Sequence, residues 1–218
     1  MNTTFLFEEQ FESAVEQILK DLGFKTATSI YIDLCELKSQ IDIIAYNMGR
    51  LYCIECKSMI AWKMNFSRNS NKWSYLGDNN IWHSIHSPYI QNKNHILLCK
   101  QYLNSLEGFS KWQEFYGIQN FDITNILIFK NTLNLDRLKD DIKKEIGIFR
   151  VDDLNQITKI YNQNDKPLSN LSQIAFELLS SLSDTSEEAK QKHKLYIYKC
   201  KTEKLGFFRP GRHCIGST

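Results

Sequence analysis

Proline and glycine are scarce, with three and nine in 218 residues, so no collagen-like repeat or flexible low-complexity linker is present. Cysteine is sparse too. Six residues (35, 53, 56, 99, 200 and 214) are too few to form a disulfide scaffold at this length. Three lie in strand-like segments, where buried thiols are expected. No apolar run approaches the ~20 residues that span a bilayer, and the N-terminus has no basic-then-apolar signal pattern. A cytoplasmic protein with no membrane association is therefore expected. The content of 42% hydrophobic, 24% charged and 12% aromatic residues excludes a disordered chain or a coiled coil and suits one large domain, or one domain plus an appendage.

The net charge of +2 conceals an asymmetry. Residues 190–218 carry eight Lys or Arg against Glu203, a balance of +7, which leaves −5 for residues 1–189. The tail interleaves Lys199, Lys201, Lys204, Arg209 and Arg212 with Tyr196, Tyr198, Phe207 and Phe208, a pattern able to grip a nucleic-acid backbone and stack on bases. The simpler reading is an edge strand whose lysines deter aggregation.

Residues 7–22 space Phe7, Phe11, Val15, Ile18, Leu19 and Leu22 as a helix, stopped by Gly23. Strands are expected at 28–34, 39–46 and 51–58, the last two joined by the tight turn Asn47-Met48-Gly49-Arg50. Shorter extended pieces follow at 62–66 and 73–76. Pro88 opens a helix, and 123–129 reads as a strand. A helix over 135–145, a short strand at 147–151, a short helix over 151–160 and an amphipathic helix around Leu171–Leu182 complete a mixed α/β domain. SLSDTSEEAK carries a helix-start signal, and KLYIYKCK reads as a strand.

Strand alternation puts Glu55 and Lys57 on one side and Ile54 and Cys56 on the other. A turn centred on Met48-Gly49 sets Asp42 opposite Glu55, with Cβ atoms ~5 Å apart. Facing carboxylates repel unless a cation lies between them, and hard oxygen ligands suit Mg²⁺ or Mn²⁺. Lys57 beside them could orient or deprotonate a water, or neutralise a phosphate. The bland alternative is an ion pair on a solvated sheet face. Flanking Ile41, Ile43, Ile44 and Ile54 argue for core strands, where charges demand partners.

The segments Ser39-Gln40-Ile41-Asp42-Ile43-Ile44 and Ile54-Glu55-Cys56-Lys57-Ser58 resemble the nuclease-related domain (NERD), a branch of the PD-(D/E)XK nuclease superfamily. In order, Glu12 resembles its helix-borne acid, Trp62-Lys63 and Lys72-Trp73 its aromatic hairpin, and Ser87-Pro88-Tyr89-Ile90-Gln91 with His95 its Pro-x-x-Gln…His helix. The strand Ile126-Leu127-Ile128-Phe129 and Val151-Asp152-Asp153-Leu154 continue the likeness to about residue 182. Glu12 follows Phe11 where the family has Gly, so Glu9 and Glu16 compete for its role.

The resemblance implies an α/β fold with an αβββαβ core, a mixed central sheet flanked by helices, over residues 1–182. Residues 183–218 would then form a basic extension of helix, strand and tail. It implies a metal-dependent (endo)nuclease that hydrolyses phosphodiester bonds, in DNA rather than RNA. Asp42, Glu55 and Glu12 would hold Mg²⁺ or Mn²⁺, Lys57 would position the nucleophile, and Gln91 would assist. Gln40, Lys63 and His95 are candidate phosphate or substrate contacts, His95 being equally readable as a packed helix histidine. A nucleic-acid-binding or interaction module with this fold and little turnover is the alternative. Oligomeric state stays open, a homodimer included.

Cys53-x-x-Cys56 is set aside as a redox or zinc pair, because alternation sends the two sulfurs to opposite faces. A zinc site from His193, Cys200, His213 and Cys214 would need irregular spacing.

Overall fold

A two-residue turn organises the centre of the molecule. Met48 and Gly49 both take positive φ, 47° and 78°, the type I′ geometry whose twist matches that of the strands it joins. It connects β2 (Leu37–Asn47) to β3 (Arg50–Lys57) with Asn47 opposite Arg50 and Ile43 opposite Ile54. The computed structural model describes residues 3–34, 37–66, 69–118, 121–135, 143, 145–162, 170–184 and 186.

Helix α1 (Thr3–Asp21) precedes β1 (Lys25–Leu34). Gly23, at φ 84°, ends α1 by donating its N–H to Lys20, while Phe24 N–H reaches back to Leu19, so the last carbonyls are satisfied. After β3 come the short strands β4 (Lys63–Asn65), β5 (Lys72–Leu76) and β6 (Trp82–His86). Helix α2 (Pro88–Ser105) follows, with Ser87 Oγ accepting from Ile90 N–H and Pro88 in the first turn. Then come α3 (Glu107–Phe115), β7 (Thr124–Phe129), β8 (Ile148–Arg150), a 3₁₀ turn (Val151–Asp153), α4 (Asn155–Asn162) and α5 (Asn170–Ser180).

The main sheet has the order β1-β2-β3-β7-β8. β1, β2 and β3 are antiparallel, whereas β3, β7 and β8 run parallel, so the sheet is mixed, as expected. Both faces are covered. Phe11, Val15 and Leu19 of α1 pack with Ile54, Ile126 and Ile157 on one side. On the other, Leu98 and Leu103 of α2 and Leu171 and Leu179 of α5 cover Ile30, Ile44 and Cys53. β3 is buried along nearly its whole length. Gly147 lets β8 approach β7, since a Cβ there would lie 1.9 Å from Asn125 O, at a φ of 70° that disfavours side chains in any case.

Strands β4, β5 and β6 form a separate sheet. Its inner face, with Met64 and Trp73, packs on Leu127, Phe129 and Ile148. Residues 82–86, which carry no strand signal in the sequence, pair with β5, with Leu76 facing Trp82 across the turn at Gly77–Asn80. The 151–160 helix divides into the 3₁₀ turn and α4. After α5 the chain runs beside β1, with Tyr31 N–H donating to Leu182 O and Asp184 N–H to Ser29 O. Most of the expected 135–145 helix, half of SLSDTSEEAK, the KLYIYKCK strand, the basic tail and the His/Cys zinc candidates lie outside the described residues.

Candidate active site

The central carboxylate is Glu55, only 1% exposed, near the end of β3 and opposite Leu127 of β7 in the parallel ladder. Lys57 Nζ donates to Glu55 Oε1, as alternation on β3 requires. His95 of α2 places Nδ1 3.3 Å from Glu55 Oε2, without hydrogen-bond geometry, so both atoms are buried with no hydrogen-bond partner. Burial by itself would raise the carboxyl. The Lys57 charge and the neighbouring His95 prevail and hold it down at about 2.

Asp42 lies on β2, where both ladders are interrupted. The β1 register passes from Thr28–Ile43 to Ile30–Ile41, and the β3 register stops at Ile43–Ile54. Ser29, at φ 52°, turns the strand locally. Ile41 and Ile43 consequently pack into opposite cores, although they are two residues apart. Asp42 is thus not a ladder partner of Glu55. Its Oδ2 instead accepts the Cys56 N–H at 2.8 Å, a bond that a strand carbonyl would otherwise receive. Burial first, and then the Glu55 charge, raise Asp42 from 3.8 to about 7.

Glu12 on α1 is half-buried, and burial followed by the charges of Asp42 and Glu55 pushes it from 4.5 to about 9. Its rivals stand apart. Glu16 accepts from Thr26 Oγ1 and pairs with Lys20 at 2.9 Å, and Glu9 is half-buried on α1 three residues before Glu12. Glu8, one turn before Glu12, adds to the negative field and was not foreseen. Burial would lower Lys57, but Glu55 and Asp42 outweigh it and hold its ammonium well above the ordinary lysine value. The Lys57 charge therefore acts on Glu12, Asp42 and Glu55 alike.

Gln91 is half-buried one turn before His95, and its side chain makes no hydrogen bond with the described residues. Gln40 is half-buried on β2 opposite Tyr31, and Lys63 is exposed on the separate sheet. Cys53 and Cys56 are free buried thiols that pack into the two opposite cores. Lys199, Lys201, Lys204, Arg209 and Arg212 lie outside the described residues.

Asn92, like Glu8, has no place among the candidates read from the sequence. Asn92 is fully buried and donates from Nδ2 to Cys53 O (2.8 Å), Asn125 Oδ1 (2.8 Å) and Ile126 O (3.0 Å), while Cys53 Sγ lies 3.0 Å from its Oδ1. It pins α2 to β3 and β7 and thereby sets where His95 stands. Its spacing with His95 and Cys99 on one helix face was the available signal.

A family model for the nuclease-related domain matches residues 5–129, which include α1, β1–β3, α2 and β7. The chain belongs to the nuclease-related domain family. That family is a branch of the PD-(D/E)XK nucleases. No curated protein sequence matches this one. Among solved structures, a protein of unknown function, AF1548, aligns at 14% identity over 90% of this chain and 99% of its own, with a TM-score of 0.37, too loose a likeness to carry an argument. Within this nuclease-related domain the matched region contains every candidate site residue except those of the tail.

The donor chemistry suits a hard divalent cation. Glu12 and Asp42 are raised because each would ionise beside Glu55, a cost that a bound cation would relieve, and Glu55 Oε2 is a buried acceptor with no hydrogen-bond partner among the described residues. Even so, among the described residues no three His, Cys, Asp or Glu side chains are disposed as a finished metal cage. Completing one would require Glu12 or solvent to close on the Asp42–Glu55 pair. No described helix is long and apolar enough to cross a membrane.

Proposed function

We propose that this nuclease-related domain is a divalent-metal-dependent nuclease that hydrolyses phosphodiester bonds, in DNA rather than RNA. The observation that carries the reading is the meeting of Asp42, Glu55 and Glu12 around Lys57 at the end of the β2–β3 hairpin. Asp42 and Glu55, with Glu12, would hold Mg²⁺ or Mn²⁺. When bound, such an ion polarises a phosphate and lowers the pKa of a bound water. Lys57, steadied by Glu55, would orient the nucleophile and offset the charge of the phosphate. Gln91, unbonded among the described residues, and His95 on the same helix would face the substrate. Free buried Cys53, Cys56 and Cys99 accord with a reducing, cytoplasmic compartment.

The rival reading, a nucleic-acid-binding module with little turnover, draws on the way Lys57 and His95 already crowd the two oxygens of Glu55. A cleavage assay on single-stranded, duplex and branched DNA and on RNA, with Mg²⁺, with Mn²⁺ and with EDTA, separates the two. Cleavage that needs metal and is lost in Lys57→Ala supports the nuclease. Metal-independent binding with no products supports the module.

A further inference from the structure

The separate β4–β6 sheet has an outer face that the chemistry above does not use. Cross-strand pairing aligns Lys63 with Leu76 and Leu76 with Trp82, Asn65 with Ser74 and Ser74 with Ser84, and Lys72 with His86. Residues so aligned project to one side. Lys63, Asn65, Lys72, Trp82, Ser84 and His86 are all exposed, whereas Met64 and Trp73, which alternate with them, are buried beneath. The exposed side thus stands on a packed base that fixes its backbone.

Its chemistry is that of a polyanion receptor with a stacking surface. Trp82 is 50% exposed, as is Trp62 just before β4. The Lys63 and Lys72 ammonium groups meet no carboxylate among the described residues. Between residues 60 and 87 the acid is Asp78, in the turn beyond the paired residues. Strand spacings put Lys63 about 10 Å from Trp82, and Lys72 about 13 Å along the sheet from Leu76.

The sheet is tied to the candidate active site at both ends. Five residues separate Lys57 from Lys63, a reach of at most ~20 Å. His86 is followed directly by Ser87, the cap of the helix that carries His95.

The geometry points to this face as a binding platform for an unpaired nucleic-acid strand, with a base stacked on Trp82 and phosphates on Lys63 and Lys72, feeding the strand toward Lys57. A ring that protrudes from a sheet can stack only on a base free of its own stack, and this favours single strands over duplex. The inference rests on the nuclease reading for the direction of the strand and on the sheet alone for its binding.

The test is fluorescence anisotropy with labelled oligothymidylate in EDTA, so that binding is read without turnover. Trp82→Ala weakens binding by about 5–100-fold, the range for one lost stacking partner, while Trp82→Phe keeps most of the affinity. The half-exposed ring leaves the Met64–Trp73 base untouched, and a thermal melt equal to wild type accompanies the loss. Lys63→Gln with Lys72→Gln lowers the slope of log affinity against log salt by about 1.4, at ~0.7 per phosphate. Binding of a hairpin duplex changes less than binding of oligothymidylate.

The platform is overturned if Trp82→Ala binds oligothymidylate as wild type does, or if duplex and single strand are weakened equally. Wild-type protein that binds through Trp82 and never cleaves with metal keeps the platform and removes the nuclease. Metal-dependent cleavage with no effect of Trp82→Ala on binding does the reverse.

Discussion

Asp42→Asn separates charge from shape at the centre of the site. The amide oxygen can still accept the Cys56 N–H that Asp42 Oδ2 accepts at 2.8 Å, so the local backbone keeps its bond. What disappears is a negative charge held near Glu55 in partly desolvated surroundings. A carboxyl raised from 3.8 to about 7 loses stability as pH rises between those values, because the unfolded chain ionises first. At full burial that interval corresponds to ~4 kcal/mol at 1.36 kcal/mol per pH unit. Asp42 is only half-buried, and solvent screening brings the expected gain to ~1–2 kcal/mol. For a chain of this size the apo variant should melt about 2–8 °C above wild type at pH 8. At pH 4 the difference should vanish, since Asp42 is then protonated in the fold. Addition of Mg²⁺ or Mn²⁺ should reverse the ranking, because a ligand at a hundred times its Kd stabilises the form that binds it by ~2.7 kcal/mol. Differential scanning fluorimetry across pH 4–8, with and without metal, reads all three effects. An apo variant less stable than wild type at pH 8, or a metal shift of equal size in both proteins, refutes the electrostatic account of the site.

Lys57→Ala should retain metal binding in calorimetry while cleavage falls roughly 10²–10⁴-fold, and Lys57→Arg should rescue poorly because a planar guanidinium does not replace a compact ammonium. Wild-type turnover in Lys57→Ala would reduce the lysine to an ion-pair partner of Glu55. Asn92→Leu should cost about 2–5 kcal/mol in urea unfolding, since it strands the Cys53 and Ile126 carbonyls that Asn92 now satisfies; a loss under 1 kcal/mol would mean that water or a ladder shift replaces those bonds. Reversing the charge of Lys199, Lys201 and Lys204 should flatten the salt dependence of nucleic-acid binding by two units or more, at ~0.7–0.9 per phosphate contact, and leave single-turnover cleavage at saturating substrate nearly unchanged. An unaltered slope would make the tail a solvated face.

Local chemistry accounts for much of what could be read before the fold was seen. Asn47-Met48-Gly49-Arg50 selects a two-residue turn, and that turn sets the β2–β3 register at its closed end, so Asp42 and Glu55 were recognisable as neighbours from spacing alone. Period-two alternation likewise assigned Lys57 to the side of Glu55 and separated Cys53 from Cys56. Pro88 after Ser87 marked the start of α2, and Gly23 the end of α1.

Interactions between distant segments decided the rest. The turn at Ser29 has no signature in its own residue type, yet it reverses the facing of β1 and β2 and moves Asp42 from the ladder to the Cys56 amide. Glu12 was one of three candidate acids on α1 until packing of the helix on the sheet brought it into the field of Asp42 and Glu55, while Glu16 pairs with Lys20. β6 carries no strand signal of its own, and its pairing is supplied by its partner, β5. Asn92 read as one polar residue among several on α2 until the fold closed β3 and β7 around it. Turns and alternation act over a few residues and can be read along the chain, whereas desolvation and charge coupling depend on which segments meet, and that is settled only when the two cores close on the sheet.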